Sequence, residues 1–279
     1  MTKSQLLKQV QWQDLRHLSA WQVAYNVMLP YPFLVMSWYA VSQSWYVLAL
    51  IGSVFFVITA YRQGHDLFHQ ALGVSRHVST ALLFVISVLS FSSLHSMTYS
   101  HLHHHRRPLA DDDIEGYLAK GHWYEALFGG LLFRYRLYTH GYRLAPKHHR
   151  RKIILETGAI LLFSLITLYT QSNILIYQFV VMFGMNTLAG LIAVWGLHHD
   201  CDDKDPLLLA RTERNPFVNA LSFNLFYHAE HHLFPAVSTH NLPKLAKRLD
   251  KVVPSIRQNK VVGIWQHKNE TCPIRRRFA

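Results

Sequence analysis

Three short stretches carry the residues best able to do chemistry. GHDLFHQ holds His65 and His69 four positions apart, YSHLHHHRRP holds His101, His104 and His105, and YHAEHHLFP holds His228, His231 and His232 at the same HxxHH spacing. Positions i, i+3 and i+4 share one face of a helix, so each stretch can turn two or three imidazoles toward one point. His103 falls on a different face and has no assigned role. A single HxxxH pair is usually surface histidine, but three clusters, two with identical spacing, are not what a solvated helix face needs. Neutral imidazole is a ligand for iron, zinc and copper, and with about four to six ligands per ion, eight imidazoles suit two ions. HExxH does not occur, and no carboxylate stands where a zinc protease keeps its base, which disfavours metal-dependent hydrolysis. The two cysteines, Cys201 and Cys272, form no CxxC, so any metal must be held by nitrogen and oxygen.

The elements that position these clusters are apolar. Half of the 279 residues are hydrophobic and 16% are charged, against about 25% in a soluble domain. Four stretches, 21–40, 45–61, 153–170 and 174–197, approach the roughly 17 to 25 residues of a membrane-crossing helix. They pair into two hairpins with short uncharged connections. Three Lys or Arg precede the first stretch, twelve fall in 62–152 and thirteen follow the fourth, so all 28 lie on one side. By the positive-inside rule that side is cytoplasmic, with both termini, 62–152 and 198–279 there, in a bacterial inner membrane or an ER-type membrane. Trp21, Trp38, Trp45 and Tyr61 fit an interfacial aromatic belt. The N-terminus shows no secretory signal pattern. The net charge of +12 is thereby explained by topology, which disfavours nucleic-acid binding.

The expected architecture is an all-α integral membrane protein, one unit over 1–279, with four transmembrane helices in two hairpins and a cytoplasmic helical cap carrying a metal site at the bundle mouth. A fifth apolar run, 80–94, is too short and serine-rich for a confident span. A crossing there would put His65 and His101 on opposite membrane faces, so the run is expected to dip in and return or to lie against the bundle. NLPKLAKRLDKVV places Leu242, Leu245, Leu249 and Val252 on one helical face and Lys244, Lys247, Arg248 and Lys251 elsewhere. Such a helix suits a membrane surface or, equally, packing on the domain. A histidine-rich metal transporter would need ionisable residues along the spans, which offer only Glu156.

GHDLFHQ, YSHLHHH and YHAEHHLFP, in that order around paired hairpins, resemble the three histidine boxes of the membrane fatty acid desaturases and related hydroxylases. The resemblance covers roughly residues 45 to 250. It implies two non-haem irons held by His65, His69, His101, His104, His105, His228, His231 and His232, with dioxygen as co-substrate and a lipid chain as substrate. The family has a further histidine after the last span, and GLHHDCDD offers His198 and His199 as alternatives. Val194 and Trp195 stand where acyl-CoA desaturases keep a water-linked asparagine. Carboxylates beside ligands usually orient them, which makes Asp66, Asp200 and Glu230 candidates. The acidic run of Asp111, Asp112, Asp113 and Glu115 reads as a solvated loop, or as docking for a basic region or an electron donor. No haem-binding HPGG, iron–sulfur cysteines or GxGxxG occur, so a separate ferredoxin or cytochrome b5 type donor is implied. Unlike front-end desaturases, the third box begins with His228 and not Gln. The expected reaction is desaturation of an acyl chain. The alternative is hydroxylation or ketolation, for instance of a carotenoid.

Overall fold

The computed structural model describes residues 3–261 apart from 203 and 259; Cys272 and the basic C-terminal stretch lie outside the described residues. Helices, with no strand among the described residues, build the molecule. In chain order they are α1 (Lys3–Gln9), α2 (Ala20–Met28), α3 (Tyr31–Ser42), α4 (Tyr46–Phe68), α5 (Arg76–Ser90), α6 (Leu94–Arg106), α7 (Trp123–Phe128), α8 (Gly130–Leu144), α9 (Lys147–Thr170), α10 (Asn173–His198, including a π turn at Gly190–Trp195), α11 (Pro216–Leu221), α12 (His228–Leu233) and α13 (Leu242–Val252).

Three of these, α4, α9 and α10, are long and apolar enough to cross a membrane. The second, third and fourth expected stretches are thus continuous helices, and α4 runs seven residues past its expected end to carry His65 inside the helix. The first is different. Residues 21–40 do not form one unbroken helix, because Pro30 and Pro32 remove donors from the ladder and the chain divides into α2 and α3. Proline at 30 leaves the Asn26 carbonyl without its i+4 donor. Gln63 of α4 supplies one, its Nε2 donating to the Asn26 carbonyl at 3.1 Å and the Val27 carbonyl at 2.7 Å. A neighbouring helix thus satisfies the backbone groups freed at a proline break, as an apolar medium requires.

The fifth run does not cross as a straight helix. It forms α5, which meets α6 at a bend of 109°. Phe91 at the elbow sits in the left-handed region (φ 53°). The last carbonyls of α5 have no partner within their own helix, and side chains from outside reach them. Gln178 Nε2 donates to the Leu89 carbonyl at 2.9 Å, Asn186 Nδ2 to that of Ser90 at 2.7 Å and Arg134 Nη2 to that of Phe91 at 2.9 Å. The rings of His65 and His101 are 4.8 Å apart, so the two stretches lie on the same side. At the start of α6, fully buried Glu156 of α9 accepts from Ser93 Oγ and pairs with His95 Nδ1, both at 2.7 Å. Glycines press α8 onto its neighbours: a Cβ at Gly130 would collide with the Thr187 carbonyl, and one at Gly141 with that of Ser96.

The apolar face of α13 is already used. Leu242, Leu245 and Leu249 are buried against Leu6, Val10, Leu15, Leu233, Phe234 and Val237, so this helix packs on the domain and does not present its leucines to a membrane surface. Val252 alone of the four face residues is exposed. This core binds α1, α12 and α13 into a lobe above the third histidine box.

Candidate metal centre

Each box is delivered by a helix end. His65 lies in the last turn of α4 with His69 at its cap, His101, His104 and His105 on one face of α6, and His228, His231 and His232 along α12. Two side chains on the adjoining face of α4 fix α12 against it. Arg62 Nε donates to the Phe223 carbonyl at 3.0 Å before the third box, and Asp66 accepts from Ser238 Oγ at 2.7 Å and Thr239 Oγ1 at 2.6 Å after it. Buried ionic groups are tolerated only with such partners.

The imidazoles converge in two sets. His65, His69, His101, His105 and His231 bring one nitrogen each within 4.8 Å of one another, and so do His104, His198 and His232. His228 joins the second set, its Nε2 lying 3.0 Å from that of His198 and 3.2 Å from that of His232. In the first set His105 Nε2 and His231 Nε2 are 3.1 Å apart. Two donors about 2.1 Å from one ion, at right angles, would be about 3 Å apart. The sets adjoin, with the His105 and His232 rings stacked at 4.2 Å. The donor nitrogens also fit an absent ion: His65 Nε2, His101 Nε2 and His104 Nε2 are buried and meet no protein partner, a costly arrangement unless something else is bound.

A family description, fatty acid desaturase, matches residues 42–259, which is most of the chain and includes every histidine of both sets. The chain belongs to the fatty acid desaturase family. No individual curated protein matches it. As a member it is an oxidoreductase of the desaturase or hydroxylase type acting on lipid, and its apolar helices make it an integral membrane protein.

Of the ten histidines singled out by sequence, nine enter the two sets and His199 does not. Its ring stacks on Trp195 at 4.4 Å and its Nδ1 meets the Ala119 carbonyl at 3.0 Å. The π turn explains the choice of His198. It inserts an extra residue into the helical register just before Gly196, rotating the residues beyond it by roughly 100°. His198 Nδ1 is then held by the Leu209 carbonyl at 3.0 Å, leaving Nε2 for the site. His103 stays outside both sets, 3.3 Å from Asp112.

The carboxylates that meet the converging histidines are not their sequence neighbours. Asp66 and Glu230 serve the framework, Glu230 being buried with Thr212 and Arg214, and Asp200 lies 3.5 Å from His199, outside the sets. The acidic run does this work in part. Glu115 Oε1 meets His101 Nδ1 and Asp113 Oδ2 meets His104 Nδ1, each at 2.7 Å, which turns the opposite Nε2 inward. Asp113 is buried, whereas Asp111 and Asp112 are exposed and pair with Lys120 and Arg107, as a solvated loop would. The sequence signal for the inward pair was weak: acids soon after the second box, with nothing local to say which ones the chain folds back.

The electrostatics prepare metal binding. Burial, then the neighbouring imidazoles, hold His228, His231 and His232 well below the usual histidine range. They are therefore neutral and present lone pairs at neutral pH. Burial alone would raise Asp113, but the His104 hydrogen bond and the Gly116 and Leu109 amides bring it down to about 2. It stays anionic and accepts from His104.

An apolar cavity of about 240 Å³ reaches this centre. His65 and His228 line it together with Val57, Ile58, Leu137 and Ile192. Tyr61 lines it beside His65, its ring stacked on that imidazole at 6.0 Å. A greasy cavity lined also by a few convergent polar groups is the form of a small-molecule site.

Proposed function

We propose that the protein is an oxygen-dependent di-iron desaturase that introduces a double bond into a fatty acyl chain of a lipid. The observation that carries this reading is the junction of the two histidine sets with the apolar cavity. Iron held by nine imidazoles, five in one set and four in the other, would supply an oxidant able to attack an unactivated C–H bond. The cavity walls align the chain beside His65 and His228 and exclude water. Glu115 and Asp113 keep the Nδ1 protons of His101 and His104, so their Nε2 atoms remain donors throughout. In balance, a CH2–CH2 unit becomes CH=CH, and its two hydrogens leave with two protons, two electrons and both atoms of dioxygen as two waters. The electrons come from a separate ferredoxin or cytochrome b5 type donor. Both termini and the histidine sets lie on the cytoplasmic side.

Expression in a host followed by iron analysis and mass spectrometry of its lipids tests the reaction. The expected outcome is two irons per chain and a lipid lighter by two hydrogens. A new hydroxyl or keto group would assign the hydroxylase or ketolase alternative, and bound zinc with no altered lipid would refute both. Cysteine labelling tests the topology: the exposed positions 42 and 107, the latter just after the second box, should react from opposite sides of the membrane.

A further inference from the structure

Residues 123–144 lie in the segment expected to be a cytoplasmic loop, yet they expose several large apolar side chains. Phe128 is 81% exposed and Tyr135 67%, with Trp123, Tyr124, Leu131 and Leu132 also open. Exposed Arg136 and Arg143 share that outer side of α8. Aromatic and aliphatic side chains mixed with cations on one short helix are the pattern of a helix lying in a membrane interface.

The inner side of α8 is cavity wall, and it contains a charge. Phe133, Arg134, Leu137 and Tyr138 all line the apolar cavity that His65 and His228 also line. Arg134 is half-buried, and no ion pair among the described residues includes it. Its protein partners are neutral: Nη2 donates to the Phe91 carbonyl at 2.9 Å, and Nε and Nη2 donate to Tyr138 Oη at 3.3 and 3.1 Å. Arg214, by contrast, is met by Glu230 and Asp250, and Arg248 by Asp14. Guanidinium is the side chain suited to a carboxylate or phosphate, through a planar fork of donors.

We propose that Arg134, steadied by Tyr138, receives the anionic head of a bilayer lipid whose acyl chain fills the cavity, with α7 and α8 lying in the membrane interface beside it. The inference rests on the reading of this cavity as the site of lipid oxidation and adds the substrate class: a lipid with a carboxylate or phosphate head, taken from the bilayer. Its hydrocarbon runs from α8 toward the histidine sets, so the separation between Arg134 and those sets determines which carbons are presented.

Binding tests this without turnover. The iron-loaded full-length protein in neutral detergent is equilibrated with two matched pairs of radiolabelled lipids, distearoyl phosphatidylglycerol against distearoylglycerol, and stearate against stearyl alcohol. Wild type is expected to hold the anionic member of at least one pair about ten-fold more tightly, the factor of a charge-assisted hydrogen bond. The pair that discriminates names the source, phospholipid or free fatty acid. Arg134→Gln should abolish the preference while leaving iron content and binding of the neutral members unchanged. No preference in wild type, or a preference that survives Arg134→Gln, overturns the proposal. Should Arg134→Gln also lose iron, Arg134→Lys decides: retained anion preference with iron bound supports the proposal, and its disappearance overturns it. An intact preference with no oxidised product would leave the inference standing and fail the desaturase reading alone.

Discussion

The five-histidine set and the four-histidine set use one kind of side chain and come together in different ways. The first draws on both histidines of box one, two of box two and one of box three, all presented by i, i+3 or i+4 spacing on α4, α6 and α12. The second takes one histidine from box two and two from box three, and completes itself with His198 beyond a π turn. Its supports are long-range: Asp113 behind His104 and the Leu209 carbonyl behind His198. Regular helix geometry does most of the aiming in the first set, with Glu115 behind His101 as a support from the loop that also carries Asp113. The second depends on a register shift and on loops folding back, so it should be the easier of the two to perturb from outside the ligands.

The largest effects come from removing one imidazole from each set. His231→Ala strikes the five-histidine set and His104→Ala the four-histidine set, and each should lower turnover by more than roughly 100-fold, beyond what partners of ligands contribute. Iron analysis of the purified variants sharpens the contrast, each approaching one ion per chain where wild type holds two. A variant that kept full activity would dissolve the two-set description. Next in size is a pair at the end of α10. His198→Ala should lose iron, whereas His199→Ala should keep it and lose only the stacking on Trp195 and the hydrogen bond to the Ala119 carbonyl, together about 1 to 3 kcal/mol of stability. The reverse ranking would mean that the π turn does not set the register of the ligand.

These contrasts track the properties that were legible in the chain. Helical periodicity marked the box faces, the exclusion of His103 and three of the spans, because those properties repeat along the sequence. Pro30 and Pro32 stood inside the first apolar stretch, and hydropathy alone does not register the donors they remove. The leucine face of α13 was equally plain, but whether it met lipid or Leu233 and Phe234 depended on tertiary contacts. The same limit hid the roles of Asp113 and Glu115, nine and fourteen positions from their histidines. A π turn leaves little local trace, so His198 and His199 stayed equivalent until the backbone distinguished them.

Asp113→Asn probes the long-range support directly. Losing the carboxylate behind His104 should cost about 10- to 100-fold in iron affinity, with little effect on the five-histidine set. It also carries a pH signature. The folded pKa of Asp113 is lowered from 3.8 to about 2. A depressed carboxylate stabilises the fold above its unfolded pKa and loses that contribution as pH falls through the folded value. Wild type should therefore exceed Asp113→Asn by about 2 kcal/mol above pH 4, with the gap closing toward pH 2. Thermal unfolding of the metal-free proteins across that range measures it, and a gap that widened on acidification would contradict the assignment.

The smallest effect is expected at His103, two positions from His101 and next to His104. Its Nε2 faces Asp112, a half-exposed carboxylate already shared with Arg107. Exposed pairs of this kind contribute about 0.2 to 1 kcal/mol. His103→Ala should therefore keep both irons and most turnover, with a small loss of stability that salt also screens. Adjacent substitutions at 103 and 104 thus separate the two faces of α6. Comparable iron loss at both positions would show that the helix does not divide its histidines between a metal face and a solvent face, and the two-set geometry would fall with that division.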